Sequence, residues 1–245
     1  MTEKLSPSLR QYTSARVGLS RAGSGLATRE ILDFQLAHAQ ARDAVHARLD
    51  VPSLLDGLRE LKLPYCVLKS AAPDRPTYLR NPGLGRTLNS ESAATLTSAP
   101  CDILFVIADG LSALAVARHA LPLLDEVLLL RQQWSVGPIC VVEQGRVAVG
   151  DVIGAVLSAK ISVVLIGERP GLSSPDSLGI YITWDPRPGR TDAERNCISN
   201  VRPEGLGYAA AARMLAFYLR EALRQKLTGV GLRLSGDFQA GRFLT

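Results

Sequence analysis

The run Val163-Val164-Leu165-Ile166 leads straight into Gly167-Glu168-Arg169-Pro170-Gly171-Leu172-Ser173-Ser174-Pro175-Asp176-Ser177. The apolar run reads as a buried parallel strand. Two prolines and two glycines then stop the strand and forbid an ordinary helix. In open α/β sheets, ligands sit beyond the carboxyl ends of strands. A charged, turn-rich loop at that end is therefore a candidate site. Glu168 has two readings there. It accepts hydrogen bonds from a ligand's amides or hydroxyls, as carboxylates do well. Alternatively it pairs with Arg169 and only stiffens the loop, worth at most about 1 kcal/mol when exposed.

Two other places invite chemistry. Asp109-Gly110 follows an apolar run and is either a site residue at a sheet edge or a tight turn whose Asp caps the next helix. The segment from Arg187 to Gly205 is too long and too charged for a mere connector. Its Cys197 has no histidine near it in sequence, so it reads as a small buried thiol and not a nucleophile.

Several familiar chemistries are excluded. The chain holds no Walker A loop, no GxGxxG after a strand and no GxSxG elbow. Its three histidines, His38, His46 and His119, form no HxxxH pair, so a metal held by its side chains is not expected. The four cysteines make no CxxC pair, and Cys66 and Cys140 read as inert core thiols. The formal net charge of +5 is not gathered into a basic patch interleaved with aromatics, which argues against nucleic-acid binding. Apolar stretches are short and interrupted, so neither a signal peptide nor a membrane span is expected, and a reduced cytosolic setting fits.

The elements that must position these residues follow from periodicity. Residues 1–64 read as an amino-terminal arm and helical module. Thr28 caps a helix over about 28–49, with Ile31, Phe34, Ala41, Val45 and Leu49 on one stripe and His38 beside them as a core or interface residue. A second helix spans about 53–61. Residues 65–100 read as a strand, at Tyr65 to Leu68, followed by a linker or a loop that grips something, rich in Pro, Gly, Asn, Ser and Thr. Residues 101–232 form the main α/β domain. Its strands are expected at 102–107, 138–142, 161–166 and 179–184. Its helices are expected at about 111–121, running on toward Leu130, then at 151–159 and 207–226. Residues 145–150 read as a short extended piece and 185–205 as a long loop. Residues 233–245 are a tail. Alternating strands and helices favour a doubly wound, mostly parallel sheet, carrying the amino-terminal helical arm.

Five motifs stand in one order: Arg16-Val17-Gly18-Leu19-Ser20-Arg21-Ala22-Gly23, Leu32-Asp33-Phe34-Gln35-Leu36-Ala37-His38-Ala39, Ala108-Asp109-Gly110-Leu111-Ser112-Ala113, Gly167-Glu168-Arg169-Pro170-Gly171-Leu172 and Cys197-Ile198-Ser199-Asn200. From about residue 10 to 232 the chain resembles the small (light) subunit family of ethanolamine ammonia-lyase. The resemblance implies an adenosylcobalamin-dependent lyase that converts ethanolamine to acetaldehyde and ammonia by a radical mechanism. It implies a hetero-oligomer whose large subunit, a TIM barrel, holds the substrate and the catalytic side chains. The small subunit would close over the cobalamin at the interface and contribute no catalytic residue. Its cofactor contacts, carried over by motif, fall on Val147, Glu168 and Cys197. The DxHxxG signature of base-off cobalamin enzymes is absent, so no histidine here is a cobalt ligand. The alternative is a noncatalytic cobalamin-binding or assembly protein. Many members of the family carry a longer amino-terminal extension linked to bacterial microcompartments. This chain begins a few residues before the shared arm, so cytoplasm is the expected location and a microcompartment the alternative.

Overall fold

The computed structural model describes Tyr12, residues 15–130 and residues 134–232. A small hairpin of β1 (Arg21–Ala22) and β2 (Gly25–Leu26) precedes helices α1 (Thr28–His46) and α2 (Val51–Glu60). The sheet that follows has six strands: β3 (Tyr65–Lys69), β4 (Cys101–Ala108), β5 (Ile139–Glu143), β6 (Ala159–Gly167), β7 (Leu178–Trp184) and β8 (Arg195–Val201). Their order across the sheet is β3-β5-β4-β6-β7-β8. The first four are mutually parallel, whereas β7 and β8 run antiparallel to their neighbours. Parallel return needs a crossover of a dozen or more residues, usually a helix. Segments 168–177 and 185–194 contain none long enough, so β7 and β8 fold straight back.

The strands of the parallel part are apolar on both faces, as burial on both sides requires. On one face Ile103, Phe105, Ile107, Val163 and Leu165 pack with α2, α5 (Ala113–Leu129) and α7 (Tyr208–Gln225). On the other, Leu104, Val106, Ala108, Cys140, Val142, Val164 and Ile166 pack with α6 (Val149–Leu157). This is the doubly wound arrangement expected from the sequence.

Local expectations fare unevenly. Thr28 does not cap α1: Ala27 occupies that position and offers no side-chain acceptor. The stripe of α1 is also shifted. Ala37, Ala41 and Ala44 are buried, while Ile31 and Phe34 are 41% and 45% exposed and His38 lies out in solvent, stacked on Phe34. Small residues win the buried face because they let the helix approach the domain closely. Pro122 lies inside α5 without ending it. The segment expected as a linker holds two short helices, α3 (Arg75–Arg80) and α4 (Ser90–Thr95), and buries Tyr78 completely. Residues 145–150 are not extended: bonds from Val149 N to Arg146 O (2.9 Å) and Gly150 N to Val147 O (3.1 Å) wind them into the start of α6. The long loop expected over 185–205 contains β8. Charged and amide residues and a register shift hid its alternation: Ile198 and Val201 are buried toward the core, Cys197 and Ser199 are exposed on the opposite face, and Arg195, on that second face too, is buried. Cys66 and Cys140 are Cα partners on β3 and β5, and their sulfurs meet at 3.3 Å as free thiols. The expected tail, 233–245, lies outside the described residues.

Candidate functional site

The carboxyl end of β6 is the natural starting point. Helix α6 lies directly on this strand, so closely that a Cβ on Gly150 would come within 2.4 Å of Val164. Beyond α6 the same sheet face continues on β7 and β8. Val106, Val164, Tyr181 and Cys197 form one registered row across β4, β6, β7 and β8. Among the described residues no helix covers the far end of that row: Cys197 and Ser199 are exposed and Tyr181 is half-buried. Val147, in the turn that opens α6, packs against the same apolar cluster as Tyr181.

Glu168 lies at the edge of this open face. Its carboxylate is held by three protein donors. Ser177 Oγ donates to Oε2, Ser199 Oγ donates to Oε1 at 2.5 Å, and the backbone N–H of Asn200 donates to Oε2 at 3.2 Å. Gly179 leaves room for it, since a Cβ there would stand 2.9 Å from Oε1. The ion-pair reading does not describe this state. Among the described residues Glu168 makes no ion pair with Arg169; instead it bolts the loop to β8. A carboxylate has about four acceptor positions, so one on Oε1 remains for a ligand.

Cys197 is exposed, not buried as the sequence suggested. Its thiol is nevertheless held above the ordinary cysteine range, first by desolvation and then by the nearby charge of Glu168, against a hydrogen bond with Tyr181. It is a neutral thiol at physiological pH, with no thiolate chemistry. Tyr181 is pushed up by burial and by its neighbours Cys197 and Glu168. The structure thus gathers Glu168, Tyr181 and Cys197 into one group, with Val147 set on the adjoining helix turn. Sequence reasoning passed over Tyr181 and Ser199. The signal was present in the alternation of Gly179-Ile180-Tyr181-Ile182-Thr183-Trp184, which puts Tyr181 opposite the core-facing isoleucines.

On this same face, under α6, lies a buried ion pair that sequence reasoning also missed. Arg195 on β8 grips Asp151 on α6 with both ends of its guanidinium, at 2.7 and 2.6 Å. It also donates to Thr183 Oγ1 at 2.8 Å and to Arg190 O at 3.0 Å. The pair ties the helix that carries Val147's turn to the strand that carries Cys197.

Asp109 is neither an exposed site residue nor a helix cap. Ser112 caps α5, accepting from Ala115 N at 3.2 Å. Asp109 is 1% exposed, accepts from Gly145 N at 3.0 Å and pairs with Arg75 at 3.3 Å. Burial dominates and pushes its carboxyl up to about 6. The sign of the linkage follows: a folded-state pKa above the unfolded value of about 3.9 stabilises fully below that value and less as pH rises through about 6. The stability of the wild-type chain relative to Asp109→Asn should fall by about 2 kcal/mol between pH 4 and 6.5. Urea midpoints of both proteins across that range check it, and a pH-independent difference defeats it.

Among the described residues there is no group of three or more His, Cys, Asp and Glu side chains that could hold a metal ion. None of the helices described is long and apolar enough to cross a membrane. The open face offers apolar surface, one carboxylate acceptor, hydroxyls and a neutral thiol. That set suits a large, nearly neutral ligand better than a charged one.

A model of the family described as ethanolamine ammonia-lyase light chain (EutC) matches residues 3–233. The chain is 57% identical over 240 residues to the ethanolamine ammonia-lyase small subunit of Azotobacter vinelandii, covering 95% of this chain and 89% of that one. It is 55% identical over 240 residues to the protein of the same name from Pseudomonas aeruginosa strain LESB58, covering 95% and 88%. With the Xanthomonas campestris pv. campestris protein of that name, identity is 52% over 237 residues, covering 94% and 87%.

Proposed function

This chain belongs to the ethanolamine ammonia-lyase light-chain family, and from that premise we propose that it is the small subunit of an adenosylcobalamin-dependent lyase that turns ethanolamine into acetaldehyde and ammonia. It works as a hetero-oligomer with a large subunit, a TIM barrel that holds the substrate and supplies the catalytic side chains. The observation that carries the reading is the uncovered sheet face bearing Tyr181, Cys197 and Ser199, bordered by Glu168 and Val147, in a chain related to such subunits along nearly its whole length.

The residues present fit the cofactor. Cobalamin is broad, rich in amides and close to neutral, so it needs shape, apolar contact and a few acceptors more than a charged clamp. When bound, adenosylcobalamin supplies the radical chemistry of the reaction. Val147 offers an apolar contact from a fixed turn. Glu168 accepts a hydrogen bond at its remaining Oε1 position, while Ser177, Ser199 and Asn200 hold the carboxylate still. Cys197 contributes small size and a neutral thiol, and Tyr181 completes the surface between them. The protein side of this interface excludes water from the cofactor's exposed edge. No catalytic residue is assigned to this chain. It works in the cytoplasm, with a bacterial microcompartment as the alternative location.

The test is co-expression with the large subunit. We expect the two chains to co-purify, to bind hydroxocobalamin together, and to release acetaldehyde only when both chains, adenosylcobalamin and ethanolamine are present. A complex that binds cobalamin but forms no acetaldehyde would make this a noncatalytic cobalamin-binding protein. Turnover by this chain alone would show that chemistry had been assigned to the wrong subunit.

A further inference from the structure

We infer that Arg75, Tyr78 and Gly85 form a clamp that positions the turn bearing Val147, so that a segment behind the ligand face sets how tightly this chain holds cobalamin. The inference rests on the reading of Val147 as a cofactor contact. It concerns residues that touch the turn and not the cofactor, so they are positioning residues.

The turn needs external support. It opens on Gln144 at φ +57°, in the left-handed region that non-glycine residues rarely enter. Three backbone polar groups just before Val147 are then each met by a partner from elsewhere in the chain. Gly145 N donates to Asp109 Oδ1 at 3.0 Å. Gly145 O accepts from Tyr78 Oη at 3.0 Å. Arg146 N donates to Gly85 O at 2.7 Å. Arg75 Nη1 reaches both Gly110 O, at 2.8 Å, and the side chain of Gln144, at 3.3 Å. The ring of Tyr78 meets two guanidinium groups, Arg146 at 4.4 Å and Arg75 at 4.9 Å from its centroid. Cation–π attraction therefore adds to the hydrogen bonds.

Gly85 closes the clamp. A Cβ there would lie 2.7 Å from Tyr78, 2.8 Å from Arg146 and 2.9 Å from the carbonyl oxygen of Gln144. Any side chain at this position pushes on the turn itself. Tyr78 is wholly buried and Arg75 is 4% exposed, so neither touches a ligand on the open face. The region around residues 70–100 thus grips a neighbour within the same chain. A turn held on three sides before the ligand arrives gives up less freedom on binding, which is how preorganisation strengthens affinity.

The experiment uses the assembled two-subunit complex with Tyr78→Phe, Gly85→Ala and Val147→Ala. Tyr78→Phe keeps the aromatic plate and deletes one hydroxyl, whereas Gly85→Ala keeps every hydrogen-bonding group and displaces the turn. Two readouts need no turnover: the Kd of hydroxocobalamin by absorbance titration, and hydrogen exchange of the 144–148 backbone in the cofactor-free complex. We expect faster exchange there in both clamp variants. We expect hydroxocobalamin binding weakened about threefold to tenfold in Tyr78→Phe, the size of one lost buried hydrogen bond. The loss should fall on the KM for adenosylcobalamin and leave the KM for ethanolamine where it was. Faster exchange with unchanged hydroxocobalamin affinity overturns the clamp, as does failure of both variants to assemble, since each marks a purely structural role. If Val147→Ala binds as tightly as wild type, the cofactor-contact reading falls and takes the clamp with it. If Val147→Ala weakens binding and the clamp variants do not, only the clamp falls.

Discussion

Replacing Asp151 with alanine lowers the unfolding free energy of this chain by about 3–5 kcal/mol. Arg195 and Asp151 are 3% and 2% exposed at their side chains, and they bind through both guanidinium ends. Alanine leaves the buried guanidinium with Thr183, the Arg190 carbonyl and the solvent-exposed Asp192 carboxylate at 3.6 Å, so the charge loses most of its compensation. For a chain of this size each kcal/mol moves the midpoint by about 2–4 °C, so the melting temperature drops by roughly 6–20 °C. The double replacement Asp151→Leu with Arg195→Met removes both charges and should recover most of the loss, because breaking a buried pair costs more than exchanging it for apolar contact. Calorimetry on the three proteins decides the matter. A loss of less than about 1 kcal/mol in Asp151→Ala would mean that water reaches the guanidinium and that the pair is not a structural bolt. The same substitution should weaken cofactor binding, since it unties α6 from β8.

The second large effect belongs to Glu168→Ala. One of the two sequence readings makes this residue a ligand acceptor. The structure assigns its carboxylate three internal donors, so alanine strips partners from Ser177, Ser199 and the Asn200 backbone at once. Hydrogen bonds to a charged group are worth about 1.5–3 kcal/mol each. We expect cobalamin affinity of the complex to fall by about tenfold or more, one such bond's worth, together with faster hydrogen exchange in segment 168–177 and in β8. Glu168→Gln separates the contributions. It keeps one acceptor oxygen but turns an N–H₂ toward a second donor, so it should rescue only part of the affinity. Loosened exchange with wild-type affinity would show a carboxylate that is structural and nothing more.

The two variants touch the open face from different sides. Asp151 acts from the covered part of the same face, through the strand and helix that carry Cys197 and Val147. Glu168 acts at the rim, through the loop that ends the parallel part of the sheet. The clamp around Tyr78 acts from behind. An interface made of a helix turn, a loop and an edge strand needs each piece tied down, because no one of them is rigid alone.

The apolar runs and helical stripes determined the α/β class and the parallel strands at 101–108, 139–143 and 159–167, and they pointed to the loop after the last of these as a candidate site. These are local properties: burial on both faces forces a continuous apolar strand, and a proline-rich loop cannot extend it. The resemblance carried by Gly-Glu-Arg-Pro-Gly-Leu and Cys-Ile-Ser-Asn marked Glu168 and Cys197, and it did so by residue identity alone. What the sequence hid depends on contacts between distant segments. The alternation of β8 is masked because a register shift interrupts it and because Cys197 and Ser199, on the half-open side, need not be apolar. Tyr181 gains its place only from register, opposite Cys197 on one side and Val164 on the other. Arg75 looks like an ordinary surface arginine until folding buries it against Asp109, more than thirty residues away. Periodicity reports which face of an element is dry, and so it locates the sheet. Only the folded chain shows which polar groups share a dry place, and those groups decide what the sheet's open face can hold.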